Sequence, residues 1–498
     1  MKNLMLTMTV VAIVSATPPT NAADQIELVT VSDAHTQAPQ MAPQAAKLGK
    51  RSDAEAGRGT SLQDLLVSLQ VYAPQIIQAQ ARSEAVQAQQ LVAAGGFDSV
   101  FSGSYNGRMT GFYGGQVADV SLKRRLRGIN AEVYSGYSIS SGRLPVYEDQ
   151  YLTNGEGELR AGAKFALWRG RATDPLRTAE SNARLKAAAA IQTATAQTIN
   201  ITASAMTAYV DWLYAENVRA VYEELLEIAE VRDDAIAKAV DAGQLATITK
   251  QENRQLLLAR QGQTVGAAQK AMEQAVYLSV YLRGPDGNPL SPVYGNQTGV
   301  PQNNPFTVFS QDEVLRRTLE ERPDIVSLRL DLETLMADEA LAENDMQPDL
   351  DLVYEVRRDF GDGSPTRAGT DHKVGFNLTM PIQFSAARGA VAAARAEIKA
   401  ARAELRLRRD RVALALQANQ AALVATEQQL AIGTSEVEVA QRLRSAEETR
   451  YMAGASDVFR LNAQETALAN SKLRVLGAQR NHDLLLVEYY RTTGTLWF

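Results

Sequence analysis

Two spacings of apolar residues alternate along this chain, and the alternation runs through twice. The first pass opens at Ala73-Pro74-Gln75-Ile76 and the second at Arg322-Pro323-Asp324-Ile325. Proline suits the first turn of a helix, where its missing N–H costs nothing. About two dozen residues of helical spacing follow in each pass before the period drops to two. In the second pass Leu350, Leu352, Tyr354 and Val356 share one face of a strand, opposite Asp351, Glu355 and Arg357. A turn at Gly361-Asp362-Gly363-Ser364-Pro365 leads to a return strand with Val374, Phe376, Leu378 and Met380 on one face. The first pass has a strand from about Phe97 and a return strand at Glu158–Phe165. Its hairpin is longer by roughly 36 residues. The extra segment holds another alternating run, Asn130–Tyr137, which either adds a hairpin or lengthens the loop.

Very long helices come next. Between Pro175 and Ala242 the chain has no glycine and no further proline. At 1.5 Å per residue that predicts about 100 Å of helix, a length that needs coiled-coil-like partners. Each long helix breaks at one glycine, Gly243 or Gly454, and a second helix of about 40 residues ends near Gly284 or Gly494. Matching positions are offset by 211 residues, as Gly243 and Gly454 are. The predicted plan is a duplicated unit of helix, β-hairpin and long helical hairpin: residues 61–284 with a β-hairpin at about 97–168 and long helices at about 173–283, then residues 312–494 with a β-hairpin at about 348–382 and long helices at about 388–493. A connector rich in proline and glycine, residues 285–311, joins them, and residues 495–498 form a tail.

The N-terminus points to export. Lys2 precedes an uncharged apolar run from Leu4 to Ala16, then Pro18, Pro19 and the small pair Ala22-Ala23. This predicts a secretory signal over residues 1–23. Residues 24–60, rich in Ala, Gln, Pro, Asp and Ser, read as a flexible leader. The chain has no cysteine, which excludes disulfides and a lipid-anchored N-terminal cysteine. Without the signal the formal charge is about −7, an acidity that argues against nucleic acid as a partner. No later apolar stretch reaches the roughly 18 residues of a membrane helix, so any crossing is by strands.

A hairpin with one apolar and one polar face has the pattern of a barrel wall. Four strands cannot close a barrel, and open edges are not tolerated in lipid, so closure needs further copies; three chains of four strands give twelve. The helices carry too many charges for lipid and must project into water.

Four segments, in this order and inside the duplication, carry a family resemblance: Glu321-Arg322-Pro323-Asp324-Ile325, Gln347-Pro348-Asp349-Leu350-Asp351-Leu352, Val374-Gly375-Phe376-Asn377-Leu378-Thr379-Met380-Pro381-Ile382, and Arg450-Tyr451-Met452-Ala453-Gly454 with Leu461-Asn462-Ala463-Gln464. Through them the chain resembles the TolC-like outer-membrane efflux proteins over nearly all of its length after the signal. The resemblance implies a homotrimer: a 12-stranded barrel in outer-membrane lipid continued by a periplasmic α-helical tunnel. It also implies a passive export duct without enzymatic activity or cofactor. Such a duct docks to a periplasmic adaptor and an inner-membrane transporter, as part of a tripartite efflux pump or a type I secretion system. The competing class is a pore-less periplasmic coiled-coil adaptor or tether; adaptors carry one helical hairpin plus β-rich modules, whereas this chain has two amphipathic hairpins. Three positions depart from the family pattern. Gln383-Phe384-Ser385-Ala386-Ala387 stands before Gly389 where the family has a Gly pair, and Ala166 replaces the matching proline of the first unit. Near the second tip, where the family often has acidic residues that constrict the tunnel mouth, the candidates are Asp457 and Arg460.

The two glycine turns are the candidate adaptor-docking tips: Gly243, Gln244 and Leu245 in one, Gly454, Ala455 and Ser456 in the other. Glycine there permits the positive φ of a tight interhelical turn. Other motifs carry no chemistry. His35, His372 and His482 are scattered, which argues against a metal site. Asp359-Phe360-Gly361 reads as a hairpin turn, and Gly155-Glu156-Gly157 lacks the helix a dinucleotide site requires. The basic run Arg395–Arg411 reads as a solvated helix face with pairs four residues apart. Trp168, Tyr113, Tyr134 and Tyr137 fit either interfacial belts or ordinary packing.

Overall fold

The computed structural model describes residues 59–145, 152–295 and 310–495. The predicted signal, nearly all of the leader, the middle of the connector, His35 and the last three residues lie outside the described residues. Residues 52–498 belong to one compact unit.

Each half of that unit opens with a short helix and a longer one: α1 (Leu62–Tyr72) and α2 (Pro74–Ala94), then, in the second half, α5 (Gln311–Glu321) and α6 (Pro323–Asn344). Ser61 caps α1 in a reciprocal box: its Oγ accepts from Asp64 N at 3.2 Å, and Asp64 accepts from Ser61 N at 3.0 Å. Pro74 and Pro323 occupy the first turns of α2 and α6. The long hairpins are α3 (Pro175–Asp241) with α4 (Thr247–Ser279), and α7 (Ser385–Met452) with α8 (Val458–Thr493). Asp174 caps α3, accepting from Leu176 N at 2.9 Å and Arg177 N at 3.1 Å. With 67 and 68 residues, α3 and α7 each run about 100 Å. No described helix is long and apolar enough to cross a membrane.

Six of the helices meet in one apolar cluster, and Val314 of α5 packs in a second one with Leu416 and Tyr489. Leu65 and Leu69 of α1 and Ile76 of α2 pack with Met206, Tyr209 and Trp212 of α3, Leu278 of α4, Leu423 of α7 and Leu486 of α8, all buried. Burying such side chains contributes roughly 1.5–3 kcal/mol each, which fixes where α1 sits on the long helices. Polar ties reinforce it. Ser68 Oγ donates to Arg283 O at 2.9 Å and accepts from Arg283 N at 2.7 Å. Thr60, read from the sequence as the last leader residue, is buried instead: it pairs with the backbone of Val293 and accepts from the Tyr209 hydroxyl at 3.1 Å. A buried backbone needs such partners, which a composition rule for flexible segments does not register.

One antiparallel sheet of six strands holds the order β1-β2-β3-β4-β5-β6. The strands are β1 (Val100–Gly107), β2 (Gly115–Leu126), β3 (Ala131–Gly142), β4 (Gly157–Ala166), β5 (Asp349–Phe360) and β6 (Thr370–Thr379). The extra segment of the first pass is therefore a hairpin, β2–β3, and not a longer loop. The four strands expected from the sequence are β1, β4, β5 and β6. The insert stands between β1 and β4, and β4 pairs directly with β5 of the second half. The described residues thus contain six strands where the sequence reading counted four.

Three other features noted in the sequence take definite form. The basic run on α7 is a largely exposed face, as expected, and its ion pairs cross to α6: Arg395 reaches Glu339 at 2.9 Å and Glu343 at 2.7 Å, and Arg408 reaches Asp324 at 3.6 Å. Tyr134 is not a belt residue, since its hydroxyl donates to Glu355 Oε2 at 2.7 Å on the polar face. At the departure before Gly389, Phe384 is the one described non-glycine residue with positive φ, at 51°. It caps α7 in the left-handed conformation that a glycine would adopt freely.

Candidate functional site

The cross-strand register sorts the sheet into two surfaces, because directly paired residues point to the same side. One line of pairs runs Gly103, Val120, Tyr137, Leu159 and Arg358. The neighbouring lines on that side bring Phe101, Leu122, Val133, Ile139, Phe165, Leu352, Tyr354, Val374, Phe376 and Leu378. Several of these are largely uncovered, with Phe101 72% and Phe376 66% exposed. A contiguous apolar surface of this kind requires a non-aqueous neighbour. Its polar exceptions lie toward strand ends: Arg124 at the end near the helices, Arg358 and His372 at the other.

The opposite surface is polar from edge to edge. Asp119 pairs with Arg160 at 2.6 Å, Lys164 with Asp351 at 2.6 Å, and Arg169, just beyond β4, with Asp349 at 2.5 Å. Two of its contacts skip a strand. Arg160 on β4 lies over Gly136 of β3 to reach Asp119 on β2, and Tyr134 on β3 lies over Gly162 of β4 to reach Glu355 on β5. Each glycine leaves the room needed: an added Cβ would sit 3.0 Å from Arg160 Nε at Gly136 and 2.6 Å from the Tyr134 ring at Gly162. Where this surface meets the helices, a cleft of about 760 Å³ is lined by Arg125, Lys164, Arg169, Asp345, Asp349 and Asp351. The sheet can thus separate an apolar medium from a charged aqueous one, provided its edges are closed. Within the described chain β1 and β6 each have one strand neighbour, so both edges are open.

At the far end of the helices the two turns share one geometry. Gly243 has φ 74° and Gly454 φ 71°. Gln244 N donates to Ala239 O at 2.8 Å, and Ala455 N donates to Arg450 O at 2.8 Å, closing the two helix ends alike. Leu245 is 39% exposed and Ser456 partly so, its hydroxyl donating to Glu447. Sequence reasoning missed the apolar side chains around them: Ile248, Met452 and Phe459 are all exposed. Asp457 and Arg460 come together, but weakly. Asp457 caps α8 by accepting from Arg460 N at 2.9 Å, and the two exposed charges stand 3.8 Å apart.

A buried polar group lies just behind the tips. Arg232 of α3 donates to Glu465 and Asn462 of α8, and Arg232 and Glu465 have side chains only 9% and 6% exposed. Beside them Arg260 of α4 donates to Thr466 at 2.6 Å. Burial pushes the Arg260 guanidinium below its usual range, against the pull of Glu465. These contacts fall nine residues before the end of α3 and seven after the start of α8, so both tips lie at the same end of the bundle.

His372, on β6, bonds Tyr354 at 2.9 Å, and His482 is buried near Asp483 at 3.7 Å. Among the described residues no group of three or more His, Cys, Asp or Glu is placed to hold a metal ion.

Residues 314–495 match the family described as outer membrane efflux protein. No curated protein matches the chain. Solved structures of similar fold include the outer-membrane channel OprN (17% identity, TM-score 0.60, covering 88% of this chain and 90% of that one). The outer membrane protein VceC of Vibrio cholerae is similar at 15% identity and TM-score 0.63, over 88% of this chain and 97% of that one. The open-state MtrE outer membrane channel of Neisseria gonorrhoeae is similar at 16% identity and TM-score 0.60, over 87% and 88%. The sequence match is confined to the second repeat, and the likeness of the whole chain to these outer-membrane channels is one of fold.

Proposed function

We propose that three copies of this chain form a passive export duct, with the six-stranded sheets in the outer membrane and the helical hairpins in the periplasm. The observation that carries the reading is the sheet itself. It has an uncovered apolar surface on one side, paired charges on the other and two open edges, so it is complete only when copies close around water. Helices of about 100 Å, attached at one end of the sheet, extend the duct through an aqueous compartment. The test is assembly: the purified protein should be a detergent-requiring trimer that conducts ions in a planar bilayer. A stable monomer in water without detergent would overturn it and leave a pore-less periplasmic tether as the surviving reading.

The two tips are where a periplasmic adaptor docks, joining the duct to an inner-membrane transporter as in an efflux pump or type I secretion system. Their matching turns, common level and exposed apolar rim support this reading. Leu245→Trp and Ser456→Trp should each abolish export while leaving trimer assembly and membrane insertion intact. Export that survives both changes would refute docking at the tips without touching the duct.

A further inference from the structure

We propose that the inserted β2–β3 hairpin is part of the membrane wall, so that each copy supplies six adjacent strands and three copies close an eighteen-stranded barrel. The inference rests on the trimeric duct reading and adds the bore of the pore to it.

The insert cannot be lifted out of the sheet without cost. It separates β1 from β4, and among the described residues β1 has no other strand neighbour. Both inserted strands have 12 residues, as many as β5 and more than β4 or β6. Tilted at about 40°, 12 residues at roughly 3.3 Å rise about 30 Å, the thickness of a hydrocarbon core. The two surfaces continue through the insert without a change of side. Val120, Leu122, Val133 and Ile139 extend the apolar surface, while Asp119 and Glu132 extend the polar one. Arg124, on the apolar side, lies near the helix end of β2, where a long side chain reaches headgroups.

The strand-skipping contacts bind the insert on its polar side. Arg160 over Gly136 joins β4 to β2, and Tyr134 over Gly162 joins β3 to β5. Glycines at those two places are what let the side chains cross. The β2–β3 turn is tied to the helices as well: Arg127 pairs with Glu180 of α3 at 2.9 Å and lies 5.2 Å from the centre of the Phe97 ring. A hairpin hanging free of the wall would need none of these.

The strand count sets the bore. Four helices per copy join the strands, α2, α3, α6 and α7, which makes a ring of twelve in a trimer. At about 9–10 Å between axes such a ring measures roughly 110–120 Å around. Eighteen strands, spaced about 4.8 Å and tilted about 40°, measure roughly 113 Å around, whereas twelve measure only about 75 Å. At that tilt an eighteen-stranded wall has a backbone diameter of about 36 Å against about 24 Å for twelve strands.

The full chain has no cysteine, so single introduced thiols report cleanly. Val120→Cys and Ile139→Cys are on the apolar side of the insert, Ser104→Cys and Ser121→Cys on the polar side. Each variant is labelled in intact outer membranes with a water-soluble maleimide, and the assembly's mass is measured in detergent. A trimer in which the first two label about ten-fold more slowly than the last two supports the proposal. A trimer in which all four label alike places the insert outside the wall and overturns it, leaving the duct reading in place. Absence of a trimer overturns both. A second measurement does not depend on substitution: the pair Ser102→Cys and Ser121→Cys, whose hydroxyls are 2.8 Å apart in the parent chain, should oxidise to an intrachain disulfide in the assembled trimer. Failure to do so would show that β1 and β2 are not neighbours in the membrane.

Discussion

Removing Glu465 alone should loosen the tip end of the bundle far more than removing Arg232 and Glu465 together. The guanidinium and the carboxylate are 9% and 6% exposed and bridge α3 to α8. Leaving one member of a buried ion pair alone costs about 3–5 kcal/mol, because the survivor keeps its desolvation penalty without its partner. The two single changes are not equivalent. After Arg232→Met, Glu465 still faces Arg260, so the loss falls near about 3 kcal/mol. After Glu465→Leu, Arg232 and Arg260 are left as two buried like charges, and the loss falls near about 5 kcal/mol. The double variant removes the repulsion between Arg232 and Arg260, and Arg260 keeps its bonds to Thr466 and Gln263, so it recovers part of the loss seen in Glu465→Leu, to about the level of Arg232→Met. Amide hydrogen exchange of the detergent-solubilised protein measures this locally. Each 1.4 kcal/mol is a decade, so peptides covering 225–241 and 458–470 should lose roughly 10²-fold protection in Arg232→Met and more in Glu465→Leu. The double variant should be better protected than Glu465→Leu. If the double variant is as exchange-prone as the worse single one, the pair is not coupled, and its burial does not hold the helices together.

Three further outcomes follow from other sites. Phe384→Gly should raise the melting temperature, because a non-glycine residue in the left-handed region costs about 1–2 kcal/mol; a clear fall would show that the ring's packing outweighs the strain. Burial holds the Tyr209 phenol above its ordinary range, so the folded chain keeps a proton that the unfolded chain loses. That contribution to stability is constant below the unfolded phenol's pKa of about 10 and is lost as pH rises beyond it. Tyr209→Phe should therefore be less stable at pH about 8, by about 1 kcal/mol for the bond to Thr60, with the difference narrowing above pH about 10 in melting curves; parallel curves would refute this. Arg460→Asp should shift the reversal potential of bilayer currents toward cation selectivity, and an unchanged potential would place that side chain off the conducting path.

The long helices were legible because nothing interrupts them, and the tips because a tight helix end calls for a residue that tolerates positive φ. The return strands were legible because they alternate cleanly. β2 was not, since Lys123-Arg124-Arg125 breaks its alternation and Gly111, Gly114 and Gly115 make its start read as loop. The strand-skipping contacts depend on register, which no single strand contains. Glycine at 136 and at 162 was the only signal, and glycine in a strand also reads as a bulge. The partners of Arg395 and Arg232 show the same boundary from the helical side. Periodicity gives the direction in which a side chain leaves its own helix, but Glu339 and Glu465 stand on other helices, in the second case 233 residues away.

Of the five strand pairings, four join neighbours in the chain, and one does not. β4 meets β5 with Ala166 opposite Asp351, 185 residues apart, and everything from α3 to α6 lies between them. Closing a loop of that length costs about 3 kcal/mol more than closing one of five residues. The bundle meets that cost in advance. Once α6 lies along α3, Gly170 N donates to Asn344 Oδ1 at 3.1 Å, and Leu167 N finds Leu350 O at 2.8 Å, so the seam begins beside the helices and zips outward. The expected order is therefore helices before a complete sheet, and pulse-labelled hydrogen exchange during refolding checks it: strands protected ahead of α3 and α6 would refute it. The apolar face of the sheet is continuous only across this seam, so its completion depends on the helices that bring β4 and β5 together.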